Sequence, residues 1–530
     1  MRAQIRAAIA DLVPPGTAIE VVPADHEDMG DYSTRVAFTL SKVLGRPPVA
    51  IAEDIAAALK KKHPDLVRDA VAATPGFLNI TLTDAALQSV VTEVLEKGSG
   101  YGPNKLPEAE REHIQVEYIS ANPTGPLTLA NGRGGFLGDV ISNALMAVGH
   151  MVEREYYVND TGNQIETLGK SILAAAGKIP PEETFYKGDY VRIWAEAHLK
   201  DVERLASDPH ELGRTAARDF LTVMKSVVEG KAGILFDRYT SEYDDIRAKG
   251  YPEKALALFR MKGVAYEADG TVWLKTTDFG DDKDRVLVMK TGEPTYFLAD
   301  AGHYIETVER GFTWKINILG PDHYGYVARI QAAAKLVELQ KSEVLITQAV
   351  RLIENGVERK MSKRSGTFVA FNELVEEVLP DAARFFFLSV APESHMDFDL
   401  TLAKERSNKN PVFYAQYAYV RAVKVLERFG GEPNQTTPLT PLTGAKDRRL
   451  MRLIADYPAA VEDTARDYRV HRLTQYASAL AKGLHDWYET EHVVGEAPDV
   501  ARARAALLAA VKITFENLFS VIGITAPSEM

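Results

Sequence analysis

Two segments carry residue types suited to polyphosphate chemistry. The first reads Val116-Glu-Tyr-Ile-Ser-Ala-Asn-Pro-Thr-Gly-Pro-Leu-Thr-Leu-Ala-Asn-Gly-Arg-Gly-Gly135, a strand pattern that ends in a Pro/Gly turn and a glycine-rich helix start. Helix N-termini leave backbone N–H groups free and carry partial positive charge, and small residues let a nucleotide approach the backbone. Gly132, Gly134 and Gly138 come near a dinucleotide fingerprint, but Leu137 stands where G-x-G-x-x-G needs its last glycine. A phosphate site and close helix packing both explain the stretch. The second segment is Glu358-Arg-Lys-Met-Ser-Lys-Arg-Ser-Gly366. Its lysines, Lys360 and Lys363, can set ammonium groups on phosphate oxygens and follow them as charge develops; a solvated basic loop is the plainer alternative.

The elements that must position these segments follow from periodicity. Residues 1–105 read as a small α/β unit, with helices around Arg35–Leu44 and Pro48–Lys62 and an alternating strand over 76–82. Lys97-Gly-Ser-Gly-Tyr-Gly-Pro-Asn104 reads as a linker. Then come a strand at Ile114–Ile119, a helix at Gly135–Val148 and a strand near Val152–Val158, the order of a parallel α/β unit. Residues 163–250 look helical, a hairpin pattern follows over Val264–Lys275 and Arg285–Lys290, and another α/β piece holds a strand at Lys315–Leu319. From Pro411 the pattern is helical, apart from a loop at Gly430–Gly444.

Composition narrows the class. The chain has 530 residues, 46% hydrophobic and 26% charged, which supports several folded cores and excludes disorder and collagen-like architecture. With no cysteine there is no disulfide framework, thiolate nucleophile or Cys-based zinc site. A formal net charge of -12 means that any nucleic-acid partner must meet a local basic surface. The N-terminus lacks an apolar region with a cleavage site, so a soluble, cytoplasmic protein with no membrane partner is expected.

Together the two segments resemble the paired motifs of class I aminoacyl-tRNA synthetases, and further strings narrow the resemblance to the arginyl-tRNA synthetases. These are Ser120-Ala-Asn-Pro-Thr-Gly-Pro-Leu127, Glu153-Arg-Glu-Tyr-Tyr-Val-Asn-Asp-Thr-Gly-Asn-Gln164, Gly280-Asp-Asp-Lys-Asp-Arg-Val-Leu287, Pro294-Thr-Tyr-Phe-Leu-Ala-Asp300, Gly320-Pro-Asp-His-Tyr-Gly-Tyr326, Lys360-Met-Ser-Lys-Arg-Ser-Gly-Thr-Phe368 and Asp381-Ala-Ala-Arg-Phe-Phe-Phe387. The resemblance implies a Rossmann-like α/β catalytic core over 106–345, with an inserted helical and hairpin segment at about 163–290. It also implies an N-terminal α/β appended domain over 1–105 that touches the tRNA elbow. A Lys-Met-Ser-Lys loop and stem-contact region over 346–405 and an all-α anticodon-binding domain over 406–530 complete the plan. The implied reaction joins L-arginine to ATP as arginyl-adenylate and passes it to the 3′ end of tRNA(Arg), with tRNA needed for the first step. DNA is not an expected partner.

The resemblance assigns roles residue by residue. Thr128, Asn131, Lys360 and Lys363 take the catalytic positions, and Thr128-Leu-Ala-Asn131 replaces the usual His-x-Gly-His. Thr and Asn are neutral donors that do not titrate, as in tryptophanyl-tRNA synthetases, while Ala130 puts a methyl where glycine usually lets adenine approach. ATP contacts are expected from Pro126, Leu127, Asn131, Gly132, Gly320, Asp322, His323 and Met361, with Mg²⁺ held mainly by phosphates and no zinc. Arginine is expected to meet Asn122, Glu242, Tyr296 and Asp300, the last two sharing one helical face. For tRNA the candidates are Gln416 and Tyr419, in an aromatic run flanked by Lys404, Arg406, Lys409, Arg421, Lys424 and Arg428. Another class I synthetase, a nucleotidyl transferase or a tRNA-binding paralogue are the alternatives. The first two would have no use for a Tyr296/Asp300 pocket, and the last none for the two lysines.

Overall fold

The structure is a computed structural model that describes residues 1–24, 26–359, 371–431 and 433–530. Lys360, Met361 and Lys363 lie outside the described residues. The chain divides into two compact units, one of residues 105–406 with 468–471, the other of 1–104 with 407–467 and 472–530.

The first unit is built on five parallel strands, β1 (His113–Glu117), β2 (Met151–Val158), β3 (Arg238–Ser241), β4 (Trp314–Leu319) and β5 (Lys341–Ile346), in the order β5-β4-β1-β2-β3. Ile114 pairs with Trp314 on one side of β1 and with Val152 on the other. The order reverses between β1 and β4, and that is where an open parallel sheet leaves a crevice at its carboxyl edge. β3 falls inside the stretch read as helical. Its Arg-Tyr-Thr-Ser is too short to show a period of two, and only pairing along Glu155–Val158 makes it a strand. The insertion is therefore not continuous over 163–290. Its helices Asn163–Ala175 and Pro209–Lys225 cross so closely that a Cβ at Gly169 would lie 1.7 Å from Pro209 O.

Helix α1 (Leu129–Ala147) joins β1 to β2 and begins six residues before the expected Gly135. Thr128 Oγ1 accepts the Asn131 N–H at 3.3 Å while Asn131 Oδ1 accepts the Thr128 N–H at 2.9 Å, a capping box that starts the helix inside the motif. Its glycines settle the packing alternative. A Cβ at Gly132 would lie 2.3 Å from the Phe371 ring, at Gly135 2.7 Å from Ile119, and at Gly138 2.3 Å from Tyr118. Gly134 lines the crevice, 3.8 Å from Ile318 by the same construction. Helix α2 (Tyr296–Glu309) covers the sheet with Phe297, Leu298, Ala299 and Ala301 buried.

In the second unit an antiparallel sheet, Val21–Pro23, Tyr32–Thr34, Phe77–Leu82 and Val67–Ala73 in spatial order, keeps Leu78, Ile80 and Leu82 inside. The helices are Pro411–Phe429, Ala445–Asp467, His471–Tyr488 and Pro498–Ile522. The N-terminal α/β part and the C-terminal helices belong to one compact unit. Tyr32 and Tyr101 donate their hydroxyls to Asp456 Oδ1 at 3.1 Å and to Ile454 O at 3.0 Å. Asn517 Nδ2 donates to Tyr101 O at 2.9 Å, so the glycine-containing stretch read as a linker is pinned to the helices. Pro498–Ile522 is long and apolar enough to cross a membrane by composition, and it serves here as the core helix of this unit, with Leu507, Val511, Phe515 and Leu518 fully buried.

Candidate active site

At the reversal between β1 and β4 lies a cavity of about 1630 Å³. The backbone leaving β1 turns through two non-glycine residues in the left-handed region, Ile119 at φ 63° and Ser120 at φ 39°. Such a conformation costs roughly 1–3 kcal/mol per residue and persists only where surroundings enforce it. Ser120 Oγ accepts the Tyr157 N–H at 3.1 Å, and the Ile119 side chain fills the space that Gly135 leaves open. The strain aims Ser120–Pro126 across the mouth. From the inserted segment, Tyr190 donates its hydroxyl to Thr124 O at 2.9 Å, leaving no room for a Cβ at Gly125.

One end of the cavity is the N-terminus of α1. Pro126, Thr128, Ala130 and Asn131 line it, as do Gly320, Asp322 and His323 beyond β4. Asn131 Oδ1 also takes the Thr128 hydroxyl at 2.8 Å, so that hydroxyl is committed to the cap and is not a free donor. Asn131 Nδ2 has no partner among the described residues. Two expected ATP contacts belong to the packing instead. Leu127 is buried and its carbonyl accepts the Phe371 N–H at 2.8 Å, while Gly132 lies under the Phe371 ring. Arg133 anchors the helix start, donating to Gln348 O and Ser394 O at 2.9 Å and to Ala391 O at 2.8 Å. Asp322 and His323 are exposed and 3.5 Å apart.

The other end is acidic. Asp300 and Tyr296, one turn apart on α2, both line it, together with Asn122, Glu117, Tyr157, Asn159 and Tyr326. Burial pushes the Asp300 carboxyl above the ordinary range, opposed by the Tyr326 hydroxyl donated to its Oδ2. The Tyr296 hydroxyl accepts backbone N–H groups of Asn163 and Gln164, and Asn122 Nδ2 donates to Gln164 Oε1. Glu242 is not on the wall. It is 1% exposed on a π-helical turn, Glu242–Arg247, where Arg247 Nε donates to its Oε1 at 2.7 Å. Asn159 Nδ2, in the amide orientation that suits its neighbours, donates to Glu242 Oε2 at 3.2 Å. Burial lifts the Glu242 carboxyl to about 7 despite Arg247, helped by the charge of Asp300.

Beneath the acidic end one face of the sheet is polar and closed off by α2. Lys315 Nζ lies 3.1 Å from Glu117 Oε2, which also accepts Asn317 Nδ2 at 2.9 Å. His303 Nε2 is 3.1 Å from Glu155 Oε1. Burial opposes ionisation of Glu155, but His303 and Lys315 outweigh it and hold that carboxyl well below the usual range. Glu155, His303 and Glu306 could in principle gather around a metal ion. Arg238 and Arg310 already pair with Glu306, which makes the group an ion-pair network.

Residues 1–82 match the model of the arginyl tRNA synthetase N terminal domain, and residues 415–530 match the DALR anticodon binding domain. The arginine–tRNA ligase of Staphylococcus aureus (strain USA300 / TCH1516) is 37% identical over 544 aligned positions, covering 99% of this chain and 96% of that protein. This chain belongs to the arginyl-tRNA synthetase family. The arginine–tRNA ligase of Citrifermentans bemidjiense is 38% identical over 97% of the chain and 95% of its own length. Among solved structures, the Thermus thermophilus arginyl-tRNA synthetase superposes over 100% of both chains with a TM-score of 0.77 at 22% identity, a likeness of fold.

For the helix Pro411–Phe429 the sequence reading chose the wrong face. Gln416 is 9% exposed and donates to Thr525 O at 3.1 Å; Tyr419 is 7% exposed and donates to Glu516 Oε1 at 2.9 Å. Both belong to the interior and face no solvent where a base could stack. The partly exposed rings are Phe413, Tyr414 and Tyr417 on the other side. Phe413 and Tyr417 stack at 6.3 Å, and the Arg421 guanidinium lies 4.8 Å from the Tyr417 ring centre and 4.9 Å from that of Tyr488. The helical spacing 413, 417, 421 could have separated the faces. In the cavity the sequence reading missed Glu117, Tyr157, Asn159 and Tyr326. For Glu117 and Tyr157 the signal was a polar group on strands that a two-sided parallel sheet should fill with apolar residues, whereas Asn159, just past β2, and Tyr326, on the turn Pro321–Tyr326, carried no such pattern.

Proposed function

We propose that the chain is an arginine–tRNA ligase that activates arginine with ATP in this cavity and esterifies tRNA with it. The observation that carries the reading is a single cavity with a carboxylate-rich end next to an uncovered helix N-terminus. The first suits a guanidinium, which presents planar N–H donors and a fixed charge. The second suits phosphate. Arginine then lies with its guanidinium at Asp300 and Glu117, Tyr296 against its plane, and its α-amino and carboxylate groups near Asn122. Glu242 acts from behind, by fixing Asn159 and adding negative potential.

The arginine carboxylate is ionised at neutral pH and attacks the α-phosphorus without a general base. The bond to the β-phosphate oxygen breaks and pyrophosphate leaves. Asn131 Nδ2 and the α1 N-terminus meet phosphate oxygens whose charge grows in the transition state, and Lys360 and Lys363 follow the departing pyrophosphate. Gly320, Asp322 and His323 border the adenosine. Mg²⁺ travels with the phosphates. Asp322 beside Gly320 and His323 is a carboxylate that could take part in holding it, with most of its ligands supplied by phosphate and water. In the second step the terminal ribose hydroxyl of tRNA attacks the acyl carbon and AMP leaves. On the tRNA side, the Phe413, Tyr414, Tyr417 and Arg421 face offers stacking rings and a cation for anticodon bases, and the work is cytoplasmic. Pyrophosphate exchange with each amino acid, run with and without tRNA, tests the reading: arginine alone should support exchange, and only when tRNA is present. Exchange driven by another amino acid would replace the substrate, and tRNA binding without any exchange would make the chain a binding protein.

A further inference from the structure

The acidic end of the cavity contains a buried hydroxyl that no group among the described residues satisfies. Tyr157 is 7% exposed and lines the cavity, and its hydroxyl has no hydrogen-bond partner among the described residues. The other buried tyrosines on this wall have theirs. Tyr304 donates to Asn317 Oδ1 at 2.7 Å, and Tyr326 donates to Asp300. A buried hydroxyl without a partner is destabilising, and folded proteins rarely keep one unless a ligand completes it. The charges of Glu242, behind the wall, and of Asp300 and Glu117, on it, all act on this phenol, which bonds to none of the three.

The Tyr157 ring is not free to swing away. Its backbone N–H is held by Ser120 Oγ at 3.1 Å, its residue is paired within the sheet to Thr240, and its ring stacks on His303 at 4.5 Å and 22°. His303 is fixed in turn by Glu155 and Lys315. The oxygen is therefore presented at a set position, as recognition of a planar group requires.

We propose that Tyr157 is a specificity-determining residue of the arginine pocket, its phenolic oxygen accepting a guanidinium N–H beside the carboxylates. The inference rests on the arginine reading of the cavity. A guanidinium has donors only, so carboxylates supply charge while a neutral acceptor takes a further N–H without adding repulsion between anions. Lysine, whose ammonium is a compact point charge, has no donor arranged to reach both.

The test is Tyr157→Phe, which keeps the ring and its stacking and removes only the oxygen. Arginine is titrated in pyrophosphate exchange with ATP and tRNA, ATP is titrated at saturating arginine, and thermal unfolding is followed without ligand. The concentration of arginine at half-saturation should rise roughly 10- to 100-fold, as for loss of a hydrogen bond to a charged group. The maximal rate and the ATP requirement should stay within about twofold, and the melting temperature should not fall, because an unsatisfied hydroxyl has been removed. An unchanged arginine requirement overturns the proposal. So does a parallel loss for arginine and ATP, or a lowered melting temperature, since either makes Tyr157 structural. If the parent fails to activate arginine at all, the functional reading falls separately, and calorimetric arginine binding by parent and variant still decides the role of Tyr157.

Discussion

Asn131 has two jobs that substitution can separate. Its Oδ1 accepts the backbone N–H and the hydroxyl of Thr128 at 2.9 and 2.8 Å, and its Nδ2 remains on the cavity wall. Asn131→Ala removes both, and the lost cap should cost about 0.5–2 kcal/mol of stability. Asn131→Asp keeps an acceptor for Thr128 and places a carboxylate in the first turn of α1, where the helix dipole favours it by about 0.3–1 kcal/mol. It also replaces the donor with an anion facing phosphate. Loss of one donor to a charge developing in the transition state costs about 2.7–4 kcal/mol. Repulsion between unit charges about 5 Å apart at an effective dielectric of about 20 adds about 3 kcal/mol. Asn131→Asp should therefore melt no earlier than the parent yet form arginyl-adenylate at least 10²–10³-fold more slowly, measured by pyrophosphate exchange with tRNA. Asn131→Ala should melt earlier and lose activity by a similar factor. A melting-competent Asn131→Asp that adenylates at the parental rate would refute the donor and leave Asn131 a helix cap only. Because no imidazole is involved, the parental rate should show no acid limb belonging to this position.

Three further outcomes are expected. Asp300→Asn removes a charge from the guanidinium site and should cost about 3–5 kcal/mol in arginine binding, read as a raised arginine KM with ATP KM unchanged; equal damage to both would mark Asp300 as structural. Glu242, with its carboxyl lifted to about 7, binds its proton as pH falls through that value, so arginine KM should rise between pH 8 and 6 and Glu242→Gln should flatten the dependence. The same raised value makes Glu242 favour folding most at low pH, a contribution lost as pH rises through about 7, so the melting temperature should rise together with arginine KM as pH falls from 8 to 6. Lys363→Ala should slow adenylation about 10²–10³-fold with little effect on arginine affinity, and near-parental exchange would remove it from the leaving-group role.

The sequence was most legible where local chemistry decides structure. The strand over Ile114–Ile119, the helix Pro48–Lys62 and the helices after Pro411 follow from periodicity, and the structure has them as His113–Glu117, Pro48–Lys62 and four helices from Pro411 to Ile522. The start of α1 was misplaced because the glycines 132, 134 and 135 suppress helix propensity; the capping box and the rings of Phe371 and Tyr118, distant or buried, override it. β3 was invisible because four residues carry no period. Of the site, Tyr296, Asp300 and Asn122 were reached through motifs and do line one cavity. Tyr157 and Tyr326 were written in the same motifs but gained meaning only from burial, since a hydroxyl bonded to Asp300 and one with no partner among the described residues look alike in sequence.

The polar face beneath the cavity explains why this sheet tolerates so many buried charges. Gln115 and Glu117, Glu153 and Glu155, and Lys315 and Asn317 alternate along neighbouring strands in register, so they share one face. Replacing such a network with apolar residues of similar volume would often be neutral or stabilising. It would also leave the carboxylate that faces the substrate without a frame. Glu117 Oε2 is held by both Lys315 and Asn317, which fixes the plane of a carboxylate that lines the cavity. The cations that steady these acids stand behind them, and among the described residues Asp300 has only a neutral hydroxyl bonded to it. The potential at the cavity wall is consequently negative even though the charges below it are paired. An arginine side chain supplies the cation that the wall lacks, and a neutral side chain of the same length would have to enter without neutralising Asp300. That difference in electrostatic free energy, set by residues on three strands and α2, is what discriminates the substrate.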